Sequence, residues 1–187
     1  MAAKKISILG FAGSLRKASY NRGLLSAALE LAPPDAQIDI FDLNGIPPFN
    51  QETENAPPET VKEFKNKIRA ADAILIATPE YNYSVPGVLK NALDWASRPP
   101  GDNALDGKPV ALMGASTGMM GTARAQYHLR QTFVILNVHP LNRPEVMVPF
   151  AQDKFDAGCR LTDQKTRDKI RELLESLVAW TRKLTGG

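Results

Sequence analysis

A doubly wound α/β sandwich around a parallel sheet is the fold this chain predicts, and three observations carry it. Short apolar runs of strand length alternate with segments of helical period from residue 5 to residue 184. One run, Ala73-Ile74-Leu75-Ile76-Ala77, has no polar position on either face, as a strand covered on both sides requires. Four Pro-Pro pairs, at 33–34, 47–48, 57–58 and 99–100, fall where one periodic segment stops or the next begins.

Taken in order, Lys5 to Gly10 reads as the first strand. Tyr20 to Leu31 reads as a helix because Leu24, Leu25, Ala28 and Leu31 share one stripe, and Gln37 to Leu43 alternates as a second strand. Pro58 to Ala71 predicts a helix with proline in its first turn, where the missing N–H costs nothing. After the 73–77 strand come a helix over Val85 to Trp95, a strand over Pro109 to Ala115 and a long helix over Gly121 to Leu136. His139 to Val148 is the last strand. Asp163 to Leu184 is a closing amphipathic helix with Ile170, Leu173, Leu174, Leu177 and Trp180 on its inner stripe. Right-handed crossovers on both faces leave few topologies for five strands and five helices. The expected one is a flavodoxin-like three-layer sandwich with a five-stranded parallel sheet in the order 2-1-3-4-5. No repeat or linker divides the chain, so residues 1–187 are expected to form one domain.

Composition narrows the function. A chain of 187 residues buries roughly 70% of its unfolded surface, so its core needs neither a disulfide nor a metal. One cysteine, Cys159, two histidines and no CxxC leave little for a metal site, and none is expected. Cys159 lacks a resolving partner, which makes an inert thiol the default. The net charge is only +3 with Lys and Arg scattered, which argues against nucleic acid and suits small anionic ligands. No apolar run approaches the ~18 residues of a membrane span, and Met1-Ala2-Ala3-Lys4-Lys5 leads only into a short strand. A cytoplasmic protein with no membrane partner is the expectation.

In a 2-1-3-4-5 sheet the ligand sits beyond the carboxyl ends of the strands where the order reverses, at the loops after strands one, three and four. The first loop, residues 10–21, offers Ser14, Ser19 and Asn21 as neutral hydrogen-bonding groups, and Arg16 as a planar fork suited to phosphate. Ser19 reads as the cap of the following helix. There is no Gly-Lys-Ser/Thr, no GxGxxG and no cysteine here, so nucleotide-triphosphate, dinucleotide and thiol-phosphatase loops do not fit. A capped helix beside a surface arginine is the plainer reading.

The second loop, residues 78–87, is bounded by Pro79 and Pro86. Its backbone is expected to stay free of regular pairing and so to face a flat polar ring, with Tyr81 and Tyr83 as walls or, equally, as packing at the edge of the core. The third loop, residues 114–121, has Gly114, Gly118 and Gly121 and no large polar side chain. It reads as a place for close backbone approach at a helix N-terminus that would favour negative charge on a ring, or as a flexible glycine loop.

These motifs resemble the NADPH-dependent FMN reductase family, the flavodoxin-like quinone, azo and chromate reductases. Gly13, Ser14, Arg16, Ser19 and Asn21 match its Gly-Ser-x-Arg-x-x-Ser-x-Asn pattern. Pro79, Glu80, Tyr81 and Asn82 match its Pro-Glu-Tyr-Asn signature, which continues through Ser84, Pro86 and residues 90–95. Ser116, Gly118 and Gly121 match its Ser-x-Gly-x-x-Gly, and residues 43–52 with Pro47-Pro48-Phe49-Asn50 are similar too. The likeness extends over most of residues 5–150. It implies that Ser14, Arg16, Ser19 and Asn21 hold the phosphate of FMN. It also implies that Pro79, Glu80, Tyr81, Asn82 and Ser84 line the isoalloxazine, chiefly through backbone. Ser116, Thr117, Gly118 and Gly121 would then cover its other polar edge.

The family resemblance further implies NADPH or NADH as co-substrate, a small-molecule electron acceptor, and a homodimer or homotetramer. An inter-subunit network through Arg124, Tyr127, Arg130 and Glu145 is part of that expectation. The implied reaction is a two-step exchange with no protein nucleophile, in which Glu80 acts through its backbone more than its carboxylate. Two other classes remain open from sequence: a flavodoxin-like electron carrier and a flavin-dependent redox sensor. Among acceptors, quinones, azo compounds, chromate and free flavin all suit an open site. Arg98 and Arg124 are candidates for a 2′-phosphate, with ordinary surface charge as the plainer reading.

Overall fold

The computed structural model describes residues 4–186. Strand β1 (Ile6–Ala12) leads into helix α1 (Tyr20–Leu31), and β2 (Ala36–Phe41) returns to α2 (Glu59–Ala70). Next come β3 (Ala73–Ala77), α3 (Gly87–Ala96), β4 (Pro109–Ala115) and α4 (Ala123–Ile135). The chain closes with β5 (His139–Pro140), β6 (Val146–Val148) and α5 (Gln164–Thr185). All pairings are parallel and the order is β2-β1-β3-β4-β5, with β6 also on β4. This is the expected flavodoxin-like topology.

Alternation along the strands sorts the core into two layers. Leu75 and Ala77 of β3 and Ala111 and Met113 of β4 pack with Leu24 and Leu25 of α1 and Leu174 and Leu177 of α5. Ile74, Ile76, Val110 and Leu112 point the other way, onto Phe64 of α2, Leu93 of α3 and Phe133 of α4. Both faces of β3 and β4 are therefore covered, which is why the 73–77 run carries no polar residue. No helix among the described residues is long and apolar enough to cross a membrane.

The last strand differs from its sequence reading. The segment 139–148 is two short strands rather than one: β5 pairs with Pro109 and Val110, and β6 with Met113 to Ala115. Leu141 N still donates to Val110 O at 2.7 Å, so Pro140 sits on the edge with its nitrogen turned away from β4; pairing lapses over 142–145 and resumes at Val146.

The segment after β2 is a strap laid along α3. Asn91 binds it with both ends of its amide, accepting from Phe49 N at 2.7 Å and donating to Pro47 O at 2.8 Å. Trp95 Nε1 donates to the same carbonyl at 2.8 Å, and the Phe49 ring meets the Trp95 ring edge-on at 5.0 Å. Asn91 and Trp95 therefore serve the strap.

At the carboxyl end of β4, Gly114 lets two chain reversals cross. A Cβ there would lie 2.0 Å from Thr122 Oγ1 and 2.4 Å from the Thr78 carbonyl oxygen. Since Thr78 and Thr122 are both fully buried, neither has room to yield. Gly114→Ala is expected to destabilise the protein by about 1–3 kcal/mol, the usual cost of overpacking. Urea melts read this directly, and a change under about 0.5 kcal/mol would show the crossing to be loose.

Helix α5 begins on Asp163, whose carboxylate accepts from the Thr166 hydroxyl at 2.5 Å and the Thr166 N–H at 2.8 Å. The Thr166 hydroxyl foremost, against the opposing pull of burial, holds the Asp163 carboxyl below its ordinary value. Asp102 is held low in the same sense, first by Lys65 and then, with burial opposing, by Arg69. A depressed carboxyl stabilises the fold above its unfolded pKa of about 3.9, and the contribution fades as pH falls through the folded value. Stability measured by denaturant melts should therefore hold between pH 7 and about 5 and decline below about pH 4. Asp163→Asn should shrink that acid decline.

Candidate functional site

The loops after β1, β3 and β4 converge on one hollow of about 300 Å³ at the carboxyl edge of the sheet. From the first loop it is lined by Ser14, Arg16, Ser19, Tyr20 and Asn21; from the second by Pro79, Glu80 and Tyr81; from the third by Ala115, Ser116 and Thr117. Nine positions singled out from sequence thus meet in space. Asn82, Ser84, Gly118 and Gly121 do not line the hollow; they shape the loops that do.

In the first loop, Ser14 and Ser19 are buried although neither lies within a strand or helix. Ser14 Oγ accepts from Arg16 N at 3.4 Å, and Ser19 Oγ caps α1 by accepting from Asn21 N at 3.3 Å. Each hydroxyl keeps its own proton for a ligand. Asn21 is differently engaged: its Nδ2 donates to Ala115 O at 3.0 Å and its Oδ1 accepts from Ala115 N at 2.9 Å. That paired amide bolts the start of α1 to the end of β4 and consumes most of the side chain's bonding capacity. Arg16 is exposed, lies 5.9 Å from the Tyr20 ring centroid, and has no carboxylate partner among the described residues. It is the uncompensated cation of the hollow.

The second loop overturns the expectation of a wholly unpaired backbone. Tyr81 N donates to Ser84 O at 3.1 Å and Ser84 N to Tyr81 O at 2.9 Å, closing a two-residue hairpin. Asn82 and Tyr83 have φ of 48° and 66°, the left-handed pair that such a turn demands. The peptide N–H groups of Glu80 and Asn82 are left without a partner among the described residues. Tyr81 and Tyr83 are 51% and 69% exposed, which rules out the reading of them as core packing.

Glu80 is also placed against expectation, because its carboxylate is the engaged part. It accepts from Arg124 N at 3.0 Å, Ala125 N at 3.3 Å and Arg124 Nε at 2.5 Å. It therefore caps α4, whose own cap residue, Thr122, makes no side-chain bond to the helix's free N–H groups. The expectation that the α4 N-terminus would itself stabilise charge on a ring is overturned for the same reason: a carboxylate already sits on it. The Arg124 guanidinium lies 3.6 Å from the Tyr83 ring centroid, and Ser84 Oγ is 2.9 Å from His128 Nδ1. Three contacts thus hold the turn to α4.

The third loop is held from the C-terminal side of the chain, which carried no readable motif. Ser116 N donates to Val148 O at 3.0 Å, and Ala151 N to Ser116 O at 3.0 Å. Gly121, with φ of 53°, turns tightly against the backbone of 147–149, where a Cβ would come within 2.9 Å. The residues expected to form a network between subunits already have partners within the chain. Tyr127 Oη donates to Glu145 at 3.2 Å, and Arg130 donates to Asn142 and to Leu141 O. Arg98 is paired with Glu54 at 2.9 Å, so neither it nor Arg124 stands free for a 2′-phosphate.

Comparison with known proteins accords with this geometry. The family model described as NADPH-dependent FMN reductase matches residues 6–153. An NAD(P)H-dependent FMN reductase of Pseudomonas aeruginosa is 55% identical over 97% of this chain and 98% of its own. An NAD(P)H:quinone oxidoreductase of Solanum tuberosum is 44% identical over 100% and 98% of the two chains. Among solved structures, a flavoenzyme NAD(P)H:(acceptor) oxidoreductase of Paracoccus denitrificans superposes with a TM-score of 0.86 at 34% identity, covering 95% of this chain and 98% of that one.

Proposed function

The chain belongs to the NADPH-dependent FMN reductase family, and from that premise we propose that it passes electrons from NAD(P)H through bound FMN to small oxidised acceptors in two separate steps. The observation that carries the reading is the hollow at three strand ends lined by the Ser14 and Ser19 hydroxyls, the unpaired Arg16 guanidinium and Glu80, whose peptide N–H has no partner among the described residues. That donor set fits a phosphorylated flavin: an anionic end for Arg16, Ser14 and Ser19, and a flat polar edge for peptide donors. When bound, FMN supplies the acceptance of hydride and the later release of electrons.

The chain's own groups bind and orient. Arg16, with the hydroxyls of Ser14 and Ser19, holds the phosphate, while Asn21 keeps the third loop in place through Ala115. Pro79, Glu80 and Tyr81 present backbone to the ring, and Asn82 and Ser84 form the turn that aims them. Ser116 and Thr117 cover the other polar edge, with Gly118 and Gly121 setting the path of that loop. No protein nucleophile is needed.

Quinones are the acceptors best supported, because relatives at 40–44% identity are named for their reduction. Azo compounds, chromate and free flavin belong to the same open class. We assign the whole chain to one FMN-binding domain working in the cytoplasm as a homodimer or homotetramer. Support for self-association is the outer face of α4, where Val134 and Ile135 are 82% and 84% exposed. Steady-state rates with NADH and a quinone varied together should give parallel double-reciprocal lines. Intersecting lines would rule out the two-step order.

A further inference from the structure

Resting on that reading, we propose that a second hollow, at the carboxyl ends of β1 and β2, receives the adenosine end of the nicotinamide co-substrate, with Asp42 facing its ribose. The hollow measures about 220 Å³, which is smaller than the ~300–1,000 Å³ of sites for whole drug-sized ligands and suits one end of a longer molecule. Ser14 lines both this hollow and the flavin hollow, so the two adjoin at that residue.

Its chemistry is divided. Leu25 and Ile40 form an apolar wall beside the backbone of Phe41, and Ile40 remains 38% exposed on the edge strand with nothing polar to recommend that placement. Arg22 and Asp42 form the polar rim, paired at 2.5 Å between Nη2 and Oδ2, with their side chains 35% and 48% exposed. The other Asp42 oxygen accepts from Asn44 N at 3.0 Å. Burial works to raise the Asp42 carboxyl, but the Asn44 N–H and Arg22 outweigh it and keep the group ionised at neutral pH.

A flat base against an aliphatic wall and a diol against a carboxylate is the pairing this rim can satisfy. In the Rossmann dinucleotide-binding fold a carboxylate about 20 residues beyond the first loop does this for the ribose. A 2′-phosphate would meet the Asp42 charge, and with Asp42 removed it would meet Arg22 instead.

The test uses FMN-loaded protein, with 5′-AMP as a calorimetric probe and NADH and NADPH as alternative donors to a fixed quinone. Asp42→Ala is expected to weaken 5′-AMP and raise KM for NADH about tenfold, the loss of one charged hydrogen bond. The same change should shift the NADH-to-NADPH ratio of kcat/KM toward NADPH, leave KM for the quinone unaltered and retain FMN. Asp42→Asn, which keeps the shape and loses the charge, should fall between, and it serves if the alanine variant does not fold. A ratio within twofold of wild type in the folded variants, or a change confined to KM for the quinone, would overturn the assignment. Failure of the wild-type protein to bind FMN or turn over NADH would instead overturn the reading on which it rests.

Discussion

Arg16→Ala is expected to weaken FMN binding about 10- to 150-fold, the loss of roughly 1.5–3 kcal/mol from a charged hydrogen bond. The side chain is exposed and has no carboxylate partner among the described residues, so its charge is spent on nothing else in the fold. Stability without ligand should accordingly change by less than about 0.5 kcal/mol. Affinity and stability together make the result specific, because a loop that had merely collapsed would move both. The hydroxyls of Ser14 and Ser19 are buried and already tied to peptide N–H groups, so their removal would confound binding with folding. Arg16 is the clean probe of the phosphate end. Flavin fluorescence during titration measures it, and an unchanged affinity would remove Arg16 from the site.

Glu80→Ala should have the largest effect on stability together with function, because one carboxylate does two jobs. It caps α4 at two peptide N–H groups and pairs with Arg124, while its own side chain is only 7% exposed. Loss of a helix cap costs about 1 kcal/mol, and stranding a partly buried cation adds to it. Arg124 is 32% exposed, so water softens the second cost, and a total of about 1.5–3 kcal/mol is expected. The turn 81–84 would also lose its hold on α4, so FMN affinity should fall in the same variant. Arg124→Ala should cost less, since the cap survives. The double variant should cost less than the sum of the two, because the pair is shared. Strict additivity in that cycle would mean that the contact does not couple the turn to the helix.

Much of this was legible before any coordinates. The alternation of strand and helix placed three loops on one rim, and Ser19, Pro79 and Gly121 marked where each loop begins or ends. The parts that were not legible share a cause: their partners lie far away in sequence. Asn21 meets Ala115 across 94 residues and Glu80 meets Arg124 across 44, and neither spacing has a period that could reveal it. The hairpin at 81–84 was hidden because its left-handed positions are filled by Asn82 and Tyr83 where glycine would have announced the turn. The span 139–148 reads as one strand in sequence, but its pairing to β4 lapses between Leu141 and Val146, where the chain passes through Asn142, Arg143 and Pro144. The backbone of 148–151 props up the third loop through peptide groups alone, which leave no trace in residue type.

The most direct test is a titration of flavin-free protein with FMN, followed by anaerobic addition of NADH. Saturation at one FMN per chain, and bleaching of the bound flavin's visible absorbance when NADH is added, is the result expected of three loops forming one flavin site. Protein that leaves the fluorescence of added FMN unchanged, or holds FMN that NADH does not bleach, would contradict it.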